Sequence, residues 1–402
     1  MSRNVLISGA SVAGPALAYW LHHHGFGVTV VETAAGVRSG GYPIDLRGVA
    51  VEVVRRMGVL DELTAARTRT RRVTFMKADG RRAGSLSLEA LTGSADDDIE
   101  LPRGSLTSVL YKHTRDDVEY LFDDSITALD EKTDGVDVTF RGGTRRTFDL
   151  VIGADGLHSN VRALAFGPEE PYLHHLGYRF TGFTAPNRTA LDHEAVIWNV
   201  PGRMTARYAV DDPDRVHAFL AFASPQPTGE ELRDREGNLR LTERTFATDR
   251  WEIPQLLADL RAADDVFSDT VSQIRMPTWS TGRVAVTGDA AHATSFLSGQ
   301  GTSMAVVGAY VLAGELAAHE DHAEAFTAYR RTLIDFVERN QALATGSSSL
   351  IPRTRKALWL RNQATRLLPL LSRTKNLFGR NTTRAANSLT LPDYPTRTTE
   401  HR

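Results

Sequence analysis

A glycine-bearing turn, Gly9-Ala10-Ser11-Val12-Ala13-Gly14, follows the short apolar run Asn4 to Ile7 and opens an apolar helical stretch from Ala13 to His23. Gly25 or Gly27 ends that stretch, and Val28 to Val31 reads as a second buried strand. Strand, tight turn, helix, strand is a βαβ unit. Near-continuous apolar strands belong to a parallel sheet covered on both faces. Such a turn lets a pyrophosphate approach backbone N–H groups at a helix start, where the dipole favours anions. Ser11 stands where the dinucleotide fingerprint has its second glycine; it is small, and its hydroxyl is a donor for phosphate. Glu32, 23 residues after Gly9, is placed as a ribose-binding carboxylate would be. The segment reads as a dinucleotide site or as an ordinary strand-to-helix turn.

Two later segments repeat the strand-then-glycine pattern. Gly153-Ala154-Asp155-Gly156 follows a strand expected over Phe148 to Ile152, and a simple strand-ending turn also accounts for it. Gly288-Asp289-Ala290-Ala291-His292 follows the short strand Val284 to Val286, and Gly299-Gln300-Gly301-Thr302-Ser303 opens a helix reaching Ala317. An aspartate after a buried strand can accept from a sugar-like hydroxyl, and glycines at a helix start bring backbone donors to an anion or ring edge.

Between these segments the pattern changes. Val73 to Met76 and Gly84 to Leu88 read as a hairpin of a different sheet, and Val136 to Phe140 precedes a Gly142-Gly143 turn. Helices are expected over Gly48 to Met57, Arg103 to Tyr111 and Trp251 to Leu260. Strands over Tyr178 to Thr184, Ala195 to Asn199, Met204 to Val210 and Val216 to Ala223 look antiparallel. The tail from about 322 is helical and loses periodicity after Gly379. The expected fold is α/β: a Rossmann-like domain from 1–72, 101–171 and 281–320, interleaved with a β-rich domain from 73–100 and 172–280, then C-terminal helices over 321–402.

Taken together, the three glycine segments resemble the aromatic hydroxylase family of FAD-dependent monooxygenases, the para-hydroxybenzoate hydroxylase-like group. The tetracycline-inactivating and polyketide-tailoring members are the most similar in character. The resemblance makes Gly9, Ser11, Val12, Ala13 and Gly14, with Glu32, the ADP-binding turn. It makes Asp155 part of the segment associated with both FAD and NAD(P)H. Asp289 becomes the contact to the ribityl chain, and Gly299, Gly301, Thr302 and Ser303 the loop beside the isoalloxazine. Arg38, Arg47 and Arg103 resemble cofactor-side arginines, and Gly40 to Leu46 resembles the loop before the flavin. Three residues depart from the family pattern: Phe296 where Pro is usual, Ser303 where Asn is common, and Gly308 where Asp often stands.

What the resemblance implies is NADPH or NADH as reductant, O2 as co-substrate, and hydroxylation or Baeyer–Villiger oxidation of an aromatic, polyketide- or antibiotic-like molecule. The oxygen chemistry falls to the reduced flavin, so no catalytic side chain is named. Strand alternation offers Arg203, Met204, Arg207, Tyr208, His217, Phe219 and Phe222 as pocket residues, with Phe296 facing them. His292 reads as a support for the backbone around FAD. His22, His23 and His24 make no metal site, because adjacent helix residues point apart. Trp251-Glu252-Ile253-Pro254 resembles the end of a flavin halogenase signature, but Asp249 replaces its first Trp. A non-oxygenating flavin oxidoreductase and a flavin-bearing sequestering protein are the alternatives.

Composition sets the remaining limits. A net charge of −2 over 402 residues gives no electrostatic reason to expect nucleic acid. The absence of cysteine excludes disulfides and thiolate metal sites and fits a cytoplasmic location. No run approaches the ~20 apolar residues of a spanning helix, so no stable membrane insertion is expected. Either a monomer or a homodimer is compatible with the sequence.

Overall fold

The computed structural model describes residues 3–37, 41–68, 70–87, 97–209, 212–346, 350–367 and 380–394. Arg38 and Gly40 lie outside them. The first sheet has six strands, in the order Ser280–Thr281, Val284–Val286, Leu150–Gly153, Asn4–Ser8, Gly27–Val31, Glu119–Leu121. All its pairings are parallel except that of the Ser280–Thr281 edge. Val5, Leu6, Ile7, Val30, Val151, Ile152 and Ala285 are wholly buried, as a sheet covered on both faces requires. Helix Ala13–His23 has the anticipated bounds.

The strand expected over Phe148 to Ile152 is two strands. Arg145–Phe148 pairs antiparallel with Val136–Phe140 in a separate three-stranded sheet, whereas Leu150–Gly153 joins the parallel one. The chain changes sheets at Asp149, whose N–H donates to the Asn4 carbonyl (2.9 Å) and whose Oδ2 accepts from the Asn4 N–H (2.6 Å). Asp149, the one charged residue between Phe148 and Leu150, marks the step in the sequence.

The second large sheet has seven strands, in the order Phe267–Ile274, Leu173–Pro186, Arg215–Ala223, Arg203–Ala209, Glu194–Val200, Arg72–Met76, Arg82–Ser87. The early hairpin joins it through a parallel pairing of Arg72–Met76 with Glu194–Val200. Its back face packs Phe183, Trp198, Leu220 and Phe222 against Phe246, Ile253, Leu256 and Leu260. Those last four come from the helices Arg235–Phe246 and Ile253–Ala262. The first of these helices, and Gly229–Arg233 before it, were not anticipated. Thr228 and Glu231 form a capping box there, a signature present in the sequence. Helix Arg380–Ala386 likewise occupies a stretch read as aperiodic.

A two-stranded ribbon, Pro43–Leu46 with Ile99–Pro102, sets Asp45 opposite Glu100. Helix Gly301–Ala318 packs against Ala13–His23 and His322–Gly346. It is long and apolar enough to cross a membrane, but 78% of it is buried inside the protein, which accounts for apolar residues on every side.

Candidate cofactor and substrate site

The three glycine segments, far apart in sequence, meet at one place. Gly9 has φ +106°, and a Cβ there would lie 2.5 Å from the Ala154 carbonyl oxygen, so the first and second segments touch backbone to backbone. A Cβ on Gly14 would lie 1.8 Å from the Gly9 carbonyl, and one on Gly288 2.9 Å from the Ala13 Cβ. The third segment is thereby held against the first turn of helix Ala13–His23.

Around this junction the polar groups converge. The Ala10 N–H donates to Glu32 Oε2 (2.8 Å), whose other oxygen accepts from the Ala34 N–H (2.9 Å). Glu32 is thus held at the mouth of the turn. Arg103 Nη2 donates to Ser11 Oγ (2.7 Å), setting a cation and a hydroxyl beside the helix start. Asp289 is exposed, although Val284 to Gly288 before it and Ala290 to Thr294 after it are buried. Gly299 is exposed between buried Ser298 and Gln300 in the same way. Such isolated exposure amid buried chain is what a surface facing a bound group shows. Enclosure by protein pushes the Asp289 carboxyl up despite its access to solvent; the Arg103 charge opposes the shift and Asp269 adds to it.

Asp155 is engaged internally. It accepts from Ser8 Oγ (3.1 Å), from the Val161 N–H (3.0 Å) and from Ser159 Oγ, which stiffens the Asp155-Gly156 turn. Arg162, wholly buried, donates to the Ala290 carbonyl (2.9 Å) and pairs with Glu169, tying the second segment to the third. His292 is buried against Trp279, its Nε2 3.3 Å from the Tyr329 hydroxyl. Burial holds its pKa down at about 4, so it is a neutral support within the core. Ser303 accepts from the Arg47 N–H (3.0 Å) and donates to the Asp45 carbonyl (3.3 Å), locking the ribbon to the helix. Arg47 is buried and pairs with Asp45 at 3.0 Å. Val12 and Ala13 are buried in the turn, and Gly301 and Thr302 are half-buried at the loop.

The front face of the seven-stranded sheet carries aromatic rings toward this site. Phe219 lies 5.5 Å from Tyr42, 5.4 Å from Phe296 and 6.0 Å from Tyr208. Met204 belongs to the same face. His217 shares this face with Phe219, 3.4 Å from Thr184 Oγ1, and burial lowers its pKa. Three of the expected pocket residues are on the other face. Arg203 pairs with Asp249 at 2.8 Å, Arg207 pairs with Glu252 and lies over the Trp251 ring, and Phe222 packs on Phe246. Strand parity decides this: Met204, Ala206 and Tyr208 face forward, so Arg203 and Arg207 face back. Sequence reasoning passed over Phe180 and Phe267, although each sits in an alternating strand, and Glu100, whose role appears only through its cross-strand partner.

The donor set fits FAD: backbone amides and a cation for the pyrophosphate, carboxylates for sugar hydroxyls, and a glycine loop next to an aromatic wall. A family model described as an FAD binding domain matches residues 2–338. An uncharacterized protein of Mycobacterium tuberculosis is 45% identical over 346 residues, covering 85% of this chain and 93% of its own. A flavin-dependent monooxygenase of Legionella longbeachae is 37% identical over 344 residues, covering 85% and 88%. The crystal structure of the tetracycline destructase Tet(51) superposes with a TM-score of 0.85 at 31% identity, covering 98% of this chain and 100% of that one. The chain therefore belongs to the FAD-binding monooxygenases of the para-hydroxybenzoate hydroxylase-like class.

Proposed function

We propose that this enzyme uses NADPH or NADH and O2 to hydroxylate a large planar aromatic or polyketide-like molecule. The observation that carries the reading is the ring-lined sheet face meeting the cofactor cleft at Tyr42 and Phe296. An apolar wall with few polar groups suits such a ligand. The solved tetracycline destructase supports an antibiotic-like substrate.

When bound, FAD supplies the chemistry: it takes reducing equivalents from the nicotinamide and activates O2 for oxygen transfer. The chain's own residues bind and orient. The Gly9–Gly14 amides, Ser11 and Arg103 hold the pyrophosphate, and Glu32 accepts from the adenosine ribose. Asp289 accepts from the ribityl hydroxyls, and Gly299, Gly301 and Thr302 border the ring, with Ser303 and Arg47 fixing the loop beneath. Asp155 acts through the turn it stiffens. The aromatic wall keeps water from the reacting face. In this reading 1–72, 101–171 and 281–320 form the FAD domain, with 73–100 and 172–280 the substrate domain.

The test is NAD(P)H oxidation by the FAD-loaded protein with O2 and H2O2 recorded across polycyclic phenols and ketones. Stimulated O2 uptake with a hydroxylated product and little H2O2 is expected. An ester or lactone product assigns Baeyer–Villiger chemistry instead. Tight binding without turnover identifies a sequestering protein.

A further inference from the structure

The aromatic wall is not an open slot. The Phe296 ring lies 5.2 Å from Phe180 and nearly parallel to it (16°), 5.4 Å from Phe219 and 6.2 Å from Tyr42. Tyr42 and Phe267 stack at 5.7 Å, and Phe267 lies 5.9 Å from Phe180. These rings come from three separate pieces of chain: the loop before Pro43–Leu46, the sheet, and the short 3₁₀ turn Phe296–Ser298. Phe296 therefore sits where a flat ring is stacked against Phe180 and edged by Tyr42.

The turn that carries it begins at a residue in an unusual backbone conformation. Ser295 adopts φ 83°, ψ 145°, a left-handed setting that a non-glycine residue rarely holds. On the far side Gly299 is in the αL conformation. Behind the turn, Ser298 Oγ donates to Thr294 Oγ1 (2.9 Å), and Thr294 is fixed by Gln273 Nε2 donating to its carbonyl (3.1 Å). The base is anchored, while the Phe296 ring stacks on Phe180 and meets Phe219 and Tyr42 between two residues at positive φ.

We propose that Phe296 is a ring-shaped plug in the substrate seat, and that a planar fused-ring ligand displaces it by rotation of the turn about Ser295, taking its place against Phe180 and Phe219. The plug makes planarity the criterion for entry. A flat aromatic ligand restores the stacking that is lost when Phe296 leaves, whereas a puckered ligand of equal area does not. This rests on the monooxygenase reading for its substrate class, but its test does not depend on turnover.

The experiment measures binding of alizarin, a planar three-ring probe, to the FAD-loaded full chain by equilibrium titration and stopped flow. In the wild type the observed association rate is expected to saturate with probe concentration, because the plug must open first. Phe296→Ala is expected to tighten the probe about tenfold, since no ring has to be displaced, and to make the rate linear in concentration. Ser295→Gly, which relieves the backbone at the hinge and retains the ring, is expected to raise the saturating rate and serves as the second variant should the first fold poorly. Unchanged or weakened binding in Phe296→Ala, a linear wild-type rate, or no binding to either protein overturns the plug. Failure of the proposed function shows separately, as absent NAD(P)H-driven O2 uptake.

Discussion

On the cofactor side of the cleft chain segments meet with no room for a side chain on the glycine, with Gly9 on the Ala154 backbone and Gly288 on the Ala13 Cβ. On the substrate side ring meets ring, with centroids 5 to 7 Å apart. The first kind of contact has one solution and breaks when atoms are added. The second tolerates exchange, because one flat apolar group replaces another at little cost in area. A cofactor that stays and a substrate that changes call for this division.

Breaking the rigid side gives the largest expected effect. Gly9→Ala puts a Cβ 2.5 Å from the Ala154 carbonyl at φ +106°. It is expected to cost more than ~100-fold in FAD affinity and about 2–4 kcal/mol in stability, read by flavin fluorescence titration and thermal melting. Gly36→Ala is the control: a Cβ there meets nothing within 4 Å, so neither reading should move. Equal damage from both would show that the turn is not specially tight.

Asp289 separates binding from folding on the same side. It is exposed among buried neighbours, so Asp289→Asn should leave the melting temperature within a degree or so while weakening FAD roughly tenfold or more, the range for losing a charged hydrogen-bond partner. A drop in stability without a change in FAD affinity would move Asp289 from the site to the scaffold.

How much of this was legible in the sequence follows the same division. Backbone contacts leave a mark because only glycine survives them, so Gly9, Gly14, Gly288 and the sheet they serve could be placed from residue type and order. The aromatic wall leaves no such mark. Phe219 and Phe222 look alike in sequence yet lie on opposite faces of one strand, and Arg203 and Arg207 were misassigned because parity within a strand depends on which face the helices cover. The break at Asp149 was missed for a related reason: Phe148 and Leu150 are both buried, but in different sheets.

Glu100 sits where the rigid and adaptable sides adjoin, facing Asp45 across the ribbon, accepting from Thr68 Oγ1 (2.6 Å), with Arg47 and Tyr208 nearby. Burial, then the Asp45 charge, pushes its pKa up to about 7. A carboxyl whose folded pKa exceeds its unfolded value binds more protons in the folded state, so ionisation costs stability as pH rises from about 4.5 to about 7. Glu100→Gln should remove this fall, leaving the variant on the order of 2 kcal/mol better placed at pH 8, relative to pH 4.5, than the wild type is. Denaturant melts at both pH values measure it, and parallel curves would mean that Glu100 is ionised in the fold throughout.

The smallest effect tests strand parity itself, using two adjacent residues. Arg207 faces the helical cover, paired with Glu252 and over Trp251, while Tyr208 faces the aromatic wall. Arg207→Ala should lower stability by about 1 kcal/mol, through a lost ion pair and cation–π contact, and leave alizarin binding unchanged. Tyr208→Phe keeps the ring and removes only its hydroxyl, so stability should hold while affinity for hydroxylated polycyclic ligands shifts two- to threefold, about 0.5 kcal/mol. The two readouts are independent, and the expected pattern is a crossed one. If Arg207→Ala altered ligand affinity as Tyr208→Phe does, the sheet would be presenting both faces to the substrate, and the contrast between a fixed back and an adaptable front would fail at its most local point.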